Sequence, residues 1–271
     1  MMDIPSINSP AQTWWTMEAK LIIDFGYLSW TYGGLGSKSW PSVRHLYSKK
    51  AQSLICVDSQ TSHRKAFYPL YKSHRKERRQ ERAWVFEKVL NFQEYLREDP
   101  SLWRFEAEGF EADDLIAVLG SKIPVIGGDK DLLQIPGIHL SRITGEVLTP
   151  AHFMSKQSKT LRLVAKNTPQ EILLVLSLLG DKSDDIPRLI PAGGLSTLAM
   201  ILNDTRPWYV AHELFGEDLL RNLYLAILPG PWCYDPLPTP LELFDLLVKN
   251  QLQDLVLRES LSPLKEVTAC L

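Results

Sequence analysis

Lys20-Leu21-Ile22-Ile23-Asp24 is a short apolar run that stops on a carboxylate. The same phrase recurs twice, as Leu54-Ile55-Cys56-Val57-Asp58 and as Pro124-Val125-Ile126-Gly127-Gly128-Asp129. Short apolar runs separated by helical patterns predict parallel strands in an α/β sheet. Right-handed crossovers make such strands point the same way, so their carboxyl ends share one edge. Ligands bind at that edge. Three acids delivered there make a cation site the leading expectation.

The chain has 271 residues, enough for one large α/β domain or two small ones. A hydrophobic content of 45% and a charged content of 23% suit an ordinary soluble protein. No apolar run approaches the ~20 residues that a membrane span needs. The longest, Ile172 to Leu179, predicts a buried helix. The opening Met1-Met2-Asp3-Ile4-Pro5 lacks the layout of a secretory signal. The cysteines (Cys56, Cys233, Cys270) have no metal spacing, and a reduced compartment is the simple reading. The expected location is the cytoplasm, that of a bacterial host for a phage-encoded chain.

Net charge is −2 but unevenly spread. From His63 to Arg82 there are eight Lys or Arg and two Glu, a local +6, so the remainder sums to −8. A basic segment beside an acid-rich remainder is the layout of a metal-dependent enzyme acting on a polyanion. A solvated helix face accounts for the charges alone equally well.

Between the strands, Thr31 to Ser42 reads as a loop around a short helix, and Pro69 interrupts the basic, aromatic stretch from His63 to Arg75. A helix is predicted from about Glu77 to Leu96, with Trp84, Val85, Val89, Phe92 and Leu96 as its apolar stripe. Phe105 to Ala107 predicts a short strand. Glu111, Asp113 and Asp114 open a helix, where the dipole favours acids, but three acids in four positions exceed what capping needs. A hairpin is expected at Thr144-Gly145 and a helix from Thr168 to Leu179, with Gly180 as its C-cap. Asp181-Lys182-Ser183-Asp184-Asp185-Ile186-Pro187 follows, then Gly193-Gly194, a helix through Leu202, and a last helix near Leu241 to Val256. The eight tryptophans read most simply as core or crevice residues.

The candidate ligands are Asp24, Asp58, Glu111, Asp113, Asp114, Asp129, Asp131, Asp181 and Asp184. Two bare carboxylates ~4 Å apart repel by about 4 kcal/mol at an effective dielectric of ~20. Several together must protonate, spread apart or hold cations. Oxygen-only sets suit Mg²⁺ or Mn²⁺ rather than zinc. Two such ions can activate a water and stabilise the leaving oxygen of a phosphoryl displacement. Lys and Arg of the basic segment would then neutralise phosphates, and Tyr68 or Tyr71 could stack on a base. No Ser-His-Asp or Cys-His order supports a covalent route, and no phosphate-cradling Gly-Lys-Ser/Thr loop supports ATP hydrolysis.

In order along the chain, Leu-Ile-Ile-Asp24, Cys-Val-Asp58, Arg64…Tyr71-Lys72-x-x-Arg75, Gly-Phe-Glu111-Ala-Asp113-Asp114, Gly-Asp129-Lys-Asp131-Leu-Leu-Gln and Leu-Gly-Asp181-Lys-Ser-Asp184-Asp-Ile-Pro resemble the 5′–3′ exonuclease/flap endonuclease family. The resemblance covers about Leu21 to Leu202 and is similar in extent to stand-alone bacteriophage members and to the nuclease domain of bacterial DNA polymerase I. It implies an α/β, PIN-like parallel-sheet domain (20–165) with a helical arch (about 73–104). A helical region (166–271) would follow, with a helix–three-turn–helix DNA-binding motif (about 168–202) and a tail. It implies a Mg²⁺-dependent, two-metal 5′ nuclease, with Mn²⁺ substituting, acting as a monomer on DNA with 5′ ends or flaps and a duplex arm.

By the same resemblance, Asp24, Asp58, Glu111 and Asp113 match a first metal site, with Asp114 as an outer-shell acid. Asp129, Asp131 and Asp181 match a second, with Asp184 beside it. Lys72 and Arg75 match the basic pair at the scissile phosphate, and Tyr71 the aromatic that stacks on the terminal base. Arg64, Arg78, Arg79, Arg82, Gly193 and Gly194 complete the expected DNA contacts, although an exposed helix face explains the three arch arginines almost as well. His63 and His74 are expected at the surface or against DNA rather than as ligands. One departure stands out: Ala192-Gly193-Gly194-Leu195-Ser196 stands where the family has Gly-Ile-Gly-x-Lys, which weakens one duplex-phosphate contact and counts against a K⁺ site there. A catalytically weak junction-binding protein and an RNA-directed nuclease are the alternatives.

Overall fold

A computed structural model of the chain describes residues 19–33, 37–46, 52–75, 83–99, 101–119, 123–141, 146–157, 166–256, 258 and 261. The strands are β1 (Leu21–Asp24), β2 (Ser53–Cys56), β3 (Trp103–Phe105), β4 (Val125–Ile126), β5 (His139–Leu140) and β6 (Val147–Leu148). They form one sheet in the order β3-β2-β1-β4-β5-β6. The first five strands run parallel, and β6 returns antiparallel on β5. The tip of that hairpin, Thr144-Gly145, lies outside the described residues.

The three strands with aspartates at their ends are neighbours at the middle of the sheet, with β1 between β2 and β4. Strand order runs outward in both directions from this point, which makes it the topological switch where open α/β sheets leave a crevice. Only Asp24 is itself a strand residue. Asp58 and Asp129 stand in loops just beyond strands that stop at Cys56 and Ile126. After Ile126 the chain passes close to a ring: a Cβ at Gly128 would meet Tyr27 at 2.5 Å.

Adjacent strand residues face opposite sides of the sheet. Ile23, Ile55 and Ile126 join one buried cluster with Phe25, Leu28, Phe92 and Leu96. Ile22, Leu54 and Val125 join another, with Leu115, Ile116, Ile172, Val175, Leu223 and Phe244. Burial on both faces is why these strands read as unbroken apolar runs.

Helix α1 (Phe25–Tyr32) follows β1, with Asp24 as its N-cap. Next come α2 (Trp40–Leu46), α3 (His63–Phe67), α4 (Ala83–Arg97), α5 (Ala112–Leu119) and α6 (Pro150–Gln157). The helical region contains α7 (Pro169–Leu179), α8 (Leu195–Asn203), α9 (Pro207–Ala226) and α10 (Pro240–Val248). Thr168 and Glu171 form a capping box at the start of α7, and Gly180 ends it with φ 62°. A Cβ at Gly180 would run into the Ile186 and Pro187 carbonyl oxygens, so only glycine fits this turn. Helices α7 and α8, joined by the stretch from Gly180 to Gly194, occupy the residues where the helix–three-turn–helix motif was expected. Residues of α7, α9 and α10 share one buried cluster with the sheet.

Several expectations are corrected. The final helix ends at Val248, where Asn250 turns to φ 55°, rather than running to Val256. Helix α9, with a break at Gly216 (φ 49°), occupies a stretch for which no helix was expected. The strand expected at Phe105 to Ala107 lies earlier, at Trp103–Phe105. Trp30 (51% exposed) and Trp84 (66%) are surface residues, not core. Helix α4 presents Val89, Phe92 and Leu96 to the core, so this part of the expected arch segment is a packed helix. Arg78, Arg79 and Arg82 lie outside the described residues. No helix among the described residues is long and apolar enough to cross a membrane.

Candidate active site

Acids from five segments meet beyond the carboxyl ends of β1, β2 and β4, and local donors aim them. Asp24 Oδ1 accepts the Tyr27 N–H at 3.2 Å. Asp58 Oδ1 accepts the Ala112 N–H at the start of α5, 2.8 Å away. Asp129 Oδ1 accepts the Asp131 N–H at 3.1 Å. Asp181 Oδ1 takes both the N–H and the hydroxyl of Ser183, at 2.7 and 2.6 Å. Each strand-end acid is thus a cap or turn residue, and that role fixes where its carboxylate points.

A Cβ at Gly26 would lie 3.2 Å from Asp24 Oδ1 and 4.0 Å from Asp58 Oδ2, so these two carboxylates flank one gap. Burial first, then the charges of Asp58 and Asp129, push the Asp24 carboxyl up to about 7. Burial and the charges of Asp129, Asp24 and Asp58 raise Asp113 well above the usual range. Asp131 is raised by burial and by Asp129. Asp131, Asp181 and Asp184 each offer an oxygen within 4.8 Å of the others. Asp129 is the charge common to both groups, since it also faces Asp184 and Asp181. The Lys130 ammonium sits 2.8 Å from Asp181 Oδ2. Burial opposes ionisation of Asp181, but Lys130 and Ser183 outweigh it and hold the carboxyl below its ordinary value.

Glu111 differs from its neighbours. Burial disfavours its charge, yet Lys72 and Arg64 outweigh burial and hold it at about 2. Lys72 Nζ lies 2.7 Å from Glu111 Oε2 and 3.8 Å from Asp184 Oδ2. Lys72 has φ 54° and its N–H donates to the Asp184 carbonyl at 2.9 Å. A left-handed lysine costs on the order of 1 kcal/mol, and the contacts at both ends of the residue hold it there. Arg75 Nη2 lies 2.5 Å from Asp184 Oδ1, and its side chain is 42% exposed. The two cations expected at the phosphate therefore stand at the rim of the acid cluster.

Arg64 and Tyr71 do not fit their expected roles, whereas Asp114 stands behind the cluster, where an outer-shell acid was expected. Asp114 is fully buried and accepts five donors: Arg64 Nη1 and Nη2 (2.6 and 2.9 Å), Gly230 N–H (2.7 Å), Trp232 Nε1–H (2.9 Å) and the Glu111 N–H (3.4 Å). Saturated in this way, it anchors the residues around it rather than facing an ion directly. Arg64 is 3% exposed and spends its guanidinium on Asp114, Glu111 and the Leu225 carbonyl, so it offers nothing to DNA. Tyr71 is 2% exposed, and its hydroxyl lies between Glu111 Oε2 and Asp184 Oδ2 at 3.0 and 2.9 Å. Its ring is packed away rather than open to a base.

Gly193, with φ 93°, and Gly194 form the exposed turn into α8. His63 packs on Phe110 and Trp232, and His74 pairs with Asp185 at 2.5 Å, so neither belongs to the acid cluster. Sequence reasoning left out Ser62, which donates to Glu111 at 3.0 Å, and Lys130. Lys130 had a local signal, a cation between two acids; Ser62 had none.

The donor set is all oxygen, and burial together with mutual charge pushes the Asp24, Asp113 and Asp131 carboxyls toward protonation, which fits hard divalent cations. Residues 41–159 match the family model of the 5′-3′ exonuclease N-terminal, resolvase-like domain. DNA polymerase I of Bacillus caldotenax is 34% identical over 106 residues, 36% of this chain and 12% of that protein. The 5′-3′ exonuclease of Buchnera aphidicola subsp. Schizaphis graminum is 26% identical over 168 residues, 58% of this chain and 53% of that protein. The chain thus spans about a tenth to a half of these relatives. Among solved structures, bacteriophage T5 flap endonuclease in a pseudo-enzyme–product complex with DNA and metal ions superposes with TM-score 0.61 at 18% identity, covering 86% of this chain and 97% of that one. T5 5′-exonuclease with bound zinc gives TM-score 0.60 at 19% identity, covering 86% and 98%. Residues 41–159 are thus similar to the 5′-3′ exonuclease N-terminal domain, and the chain shares the fold of the T5 enzymes.

Proposed function

We propose that the protein is a divalent-metal-dependent 5′ nuclease that hydrolyses DNA phosphodiesters at 5′ ends and flaps. The observation that carries this reading is the gathering of acids from five chain segments at the switch point of the sheet, with Lys72 and Arg75 at its rim. Asp24, Asp58, Glu111 and Asp113 would hold one ion, and Asp129, Asp131 and Asp181, with Asp184 beside them, a second; Mg²⁺ is the expected metal and Mn²⁺ its substitute. Such ions supply an activated water and neutralise charge on the reacting phosphate.

The chain's own residues prepare for this. Glu111 is already ionised under the hold of Lys72 and Arg64. Glu111 and Asp184 outweigh burial in keeping Lys72 protonated, so it stays cationic at any working pH. A phosphate arriving at the rim would compete with Glu111 and Asp184 for Lys72 and Arg75, and would find positive charge fixed in place. The turn from Gly180 to Gly194, between α7 and α8, is the expected seat of the duplex arm.

A 5′-labelled flap duplex tests the reading. Cleavage should appear with Mg²⁺ or Mn²⁺, vanish in EDTA, and fall about 100-fold in Lys72→Ala. No product with either metal, or product in EDTA, contradicts the proposal. An RNA 5′ strand run alongside should be cut more slowly; faster cutting would point to an RNA-directed enzyme instead.

A further inference from the structure

The segment from Leu225 to Trp232 lies beyond the 41–159 family match, yet it is tied to both halves of the acid cluster. On one side the Leu225 carbonyl accepts Arg64 Nε at 3.0 Å, and Gly230 N–H and Trp232 Nε1–H donate to Asp114 at 2.7 and 2.9 Å. Asp114 holds Arg64 bidentately, Arg64 Nη1 reaches Glu111 Oε2 at 3.5 Å, and its guanidinium lies 4.6 Å from the centre of the Trp232 ring. On the other side Gln134 donates to the Ala226 carbonyl at 2.8 Å and accepts the Leu228 N–H at 3.2 Å. Gln134 closes the short 3₁₀ turn that begins at Asp131. Asn222 secures the base of the segment by donating to the Ser177 and Pro187 carbonyls, at 2.9 and 2.7 Å. These carbonyls flank Asp181 and Asp184 in sequence.

We infer that Leu225–Trp232 is a strut that positions the metal-binding carboxylates, and that Trp232 is a positioning residue acting on Glu111 through Asp114 and Arg64. A buried charge left short of a donor moves to find another partner. Asp114 is buried and its donors keep Arg64 in line, and Arg64 in turn reaches the Glu111 carboxylate. The strut thereby lets a segment outside the matched domain set the affinity of the site. This inference stands on the nuclease reading given above.

Trp232→Phe keeps a buried six-membered aromatic ring and removes the N–H together with the pyrrole half of the indole. Tyr224→Phe is the control: it removes a buried hydrogen bond, to the Pro238 carbonyl at 2.9 Å, that leads to no acid of the cluster. Mn²⁺ binding to the full chain without DNA is measured by calorimetry, and kcat and KM on the flap duplex at saturating metal. Trp232→Phe should weaken Mn²⁺ binding and lower kcat by about 10-fold each, with KM for DNA unchanged. Tyr224→Phe should leave all three alone. If Trp232→Phe does not fold, Gln134→Met, which cuts the other tether, is read in the same way. Wild-type Mn²⁺ affinity and kcat in the variant, with only a lower melting temperature, would overturn the inference while leaving the nuclease reading standing. A wild-type chain that binds no Mn²⁺ would sink both.

Discussion

Asp129→Asn should lower flap cleavage about 10³-fold and, in EDTA at pH 8, raise the melting temperature. Both effects come from its place in the cluster. Asp129 is the foremost charge acting on Asp113 and on Asp131, and it also acts on Asp24. It therefore belongs to both proposed ion sites, and its loss weakens both. Without metal, the same charge only repels its neighbours, so neutralising it relieves them. Asn keeps the oxygen that accepts the Asp131 N–H, so the turn should survive the change. Single-turnover cleavage and thermal melting check the two halves separately. An unchanged rate would remove Asp129 from the chemistry. A lower melting temperature in EDTA would show that the carboxylate stabilises the fold in its own right.

Metal-free protein should lose stability as pH rises from 5 to 8, and Mg²⁺ should reverse the trend. Asp24 titrates at about 7 in the folded chain against 3.8 for an ordinary aspartate. Between those values the folded state binds more protons than the unfolded one, so stability falls with rising pH. The shift of this one group corresponds to roughly 4 kcal/mol. Asp113 and Asp131 are displaced in the same direction. Glu111 works oppositely: held at about 2 against 4.5, it stabilises the fold above 4.5 and loses that contribution as pH drops toward 2. The metal-free optimum therefore falls at about pH 4 to 5.

Divalent ions bind the deprotonated acids, so their affinity grows with pH. A concentration of 100 times Kd adds about 2.7 kcal/mol. Denaturant melts at pH 5 and pH 8, with EDTA and with Mg²⁺, provide the check. Stability that climbs from pH 5 to 8 in EDTA, or a Mg²⁺ gain no larger at pH 8 than at pH 5, would contradict the account.

The sheet and the acids were legible in the sequence because both are local signals repeated in order. An apolar run ending on aspartate marks a strand and its carboxyl end together, and one crossover rule puts three such ends on one edge. The two cations were legible for a similar reason, since Lys72 and Arg75 lie within one short motif. The roles of Arg64 and Tyr71, and the partners of Asp114, were not. Each motif showed a polar residue near a site, but only packing decides whether it faces the ligand or the core. Arg64 turns to Asp114, 50 residues along the chain, and Asp114 to Trp232, 118 residues away. No spacing rule reaches across such separations. Helix α9 was missed because Gly216 breaks its pattern partway. The last helix was overextended because apolar spacing continues past Asn250, where the backbone turns left-handed.

A crystal soaked in Mn²⁺ puts the central claim to its most direct test. The account predicts two anomalous peaks at the carboxyl edge of the sheet, one against Asp24, Asp58, Glu111 and Asp113 and one against Asp129, Asp131 and Asp181. An edge without anomalous signal, or peaks bound only to acids elsewhere on the surface, would contradict it.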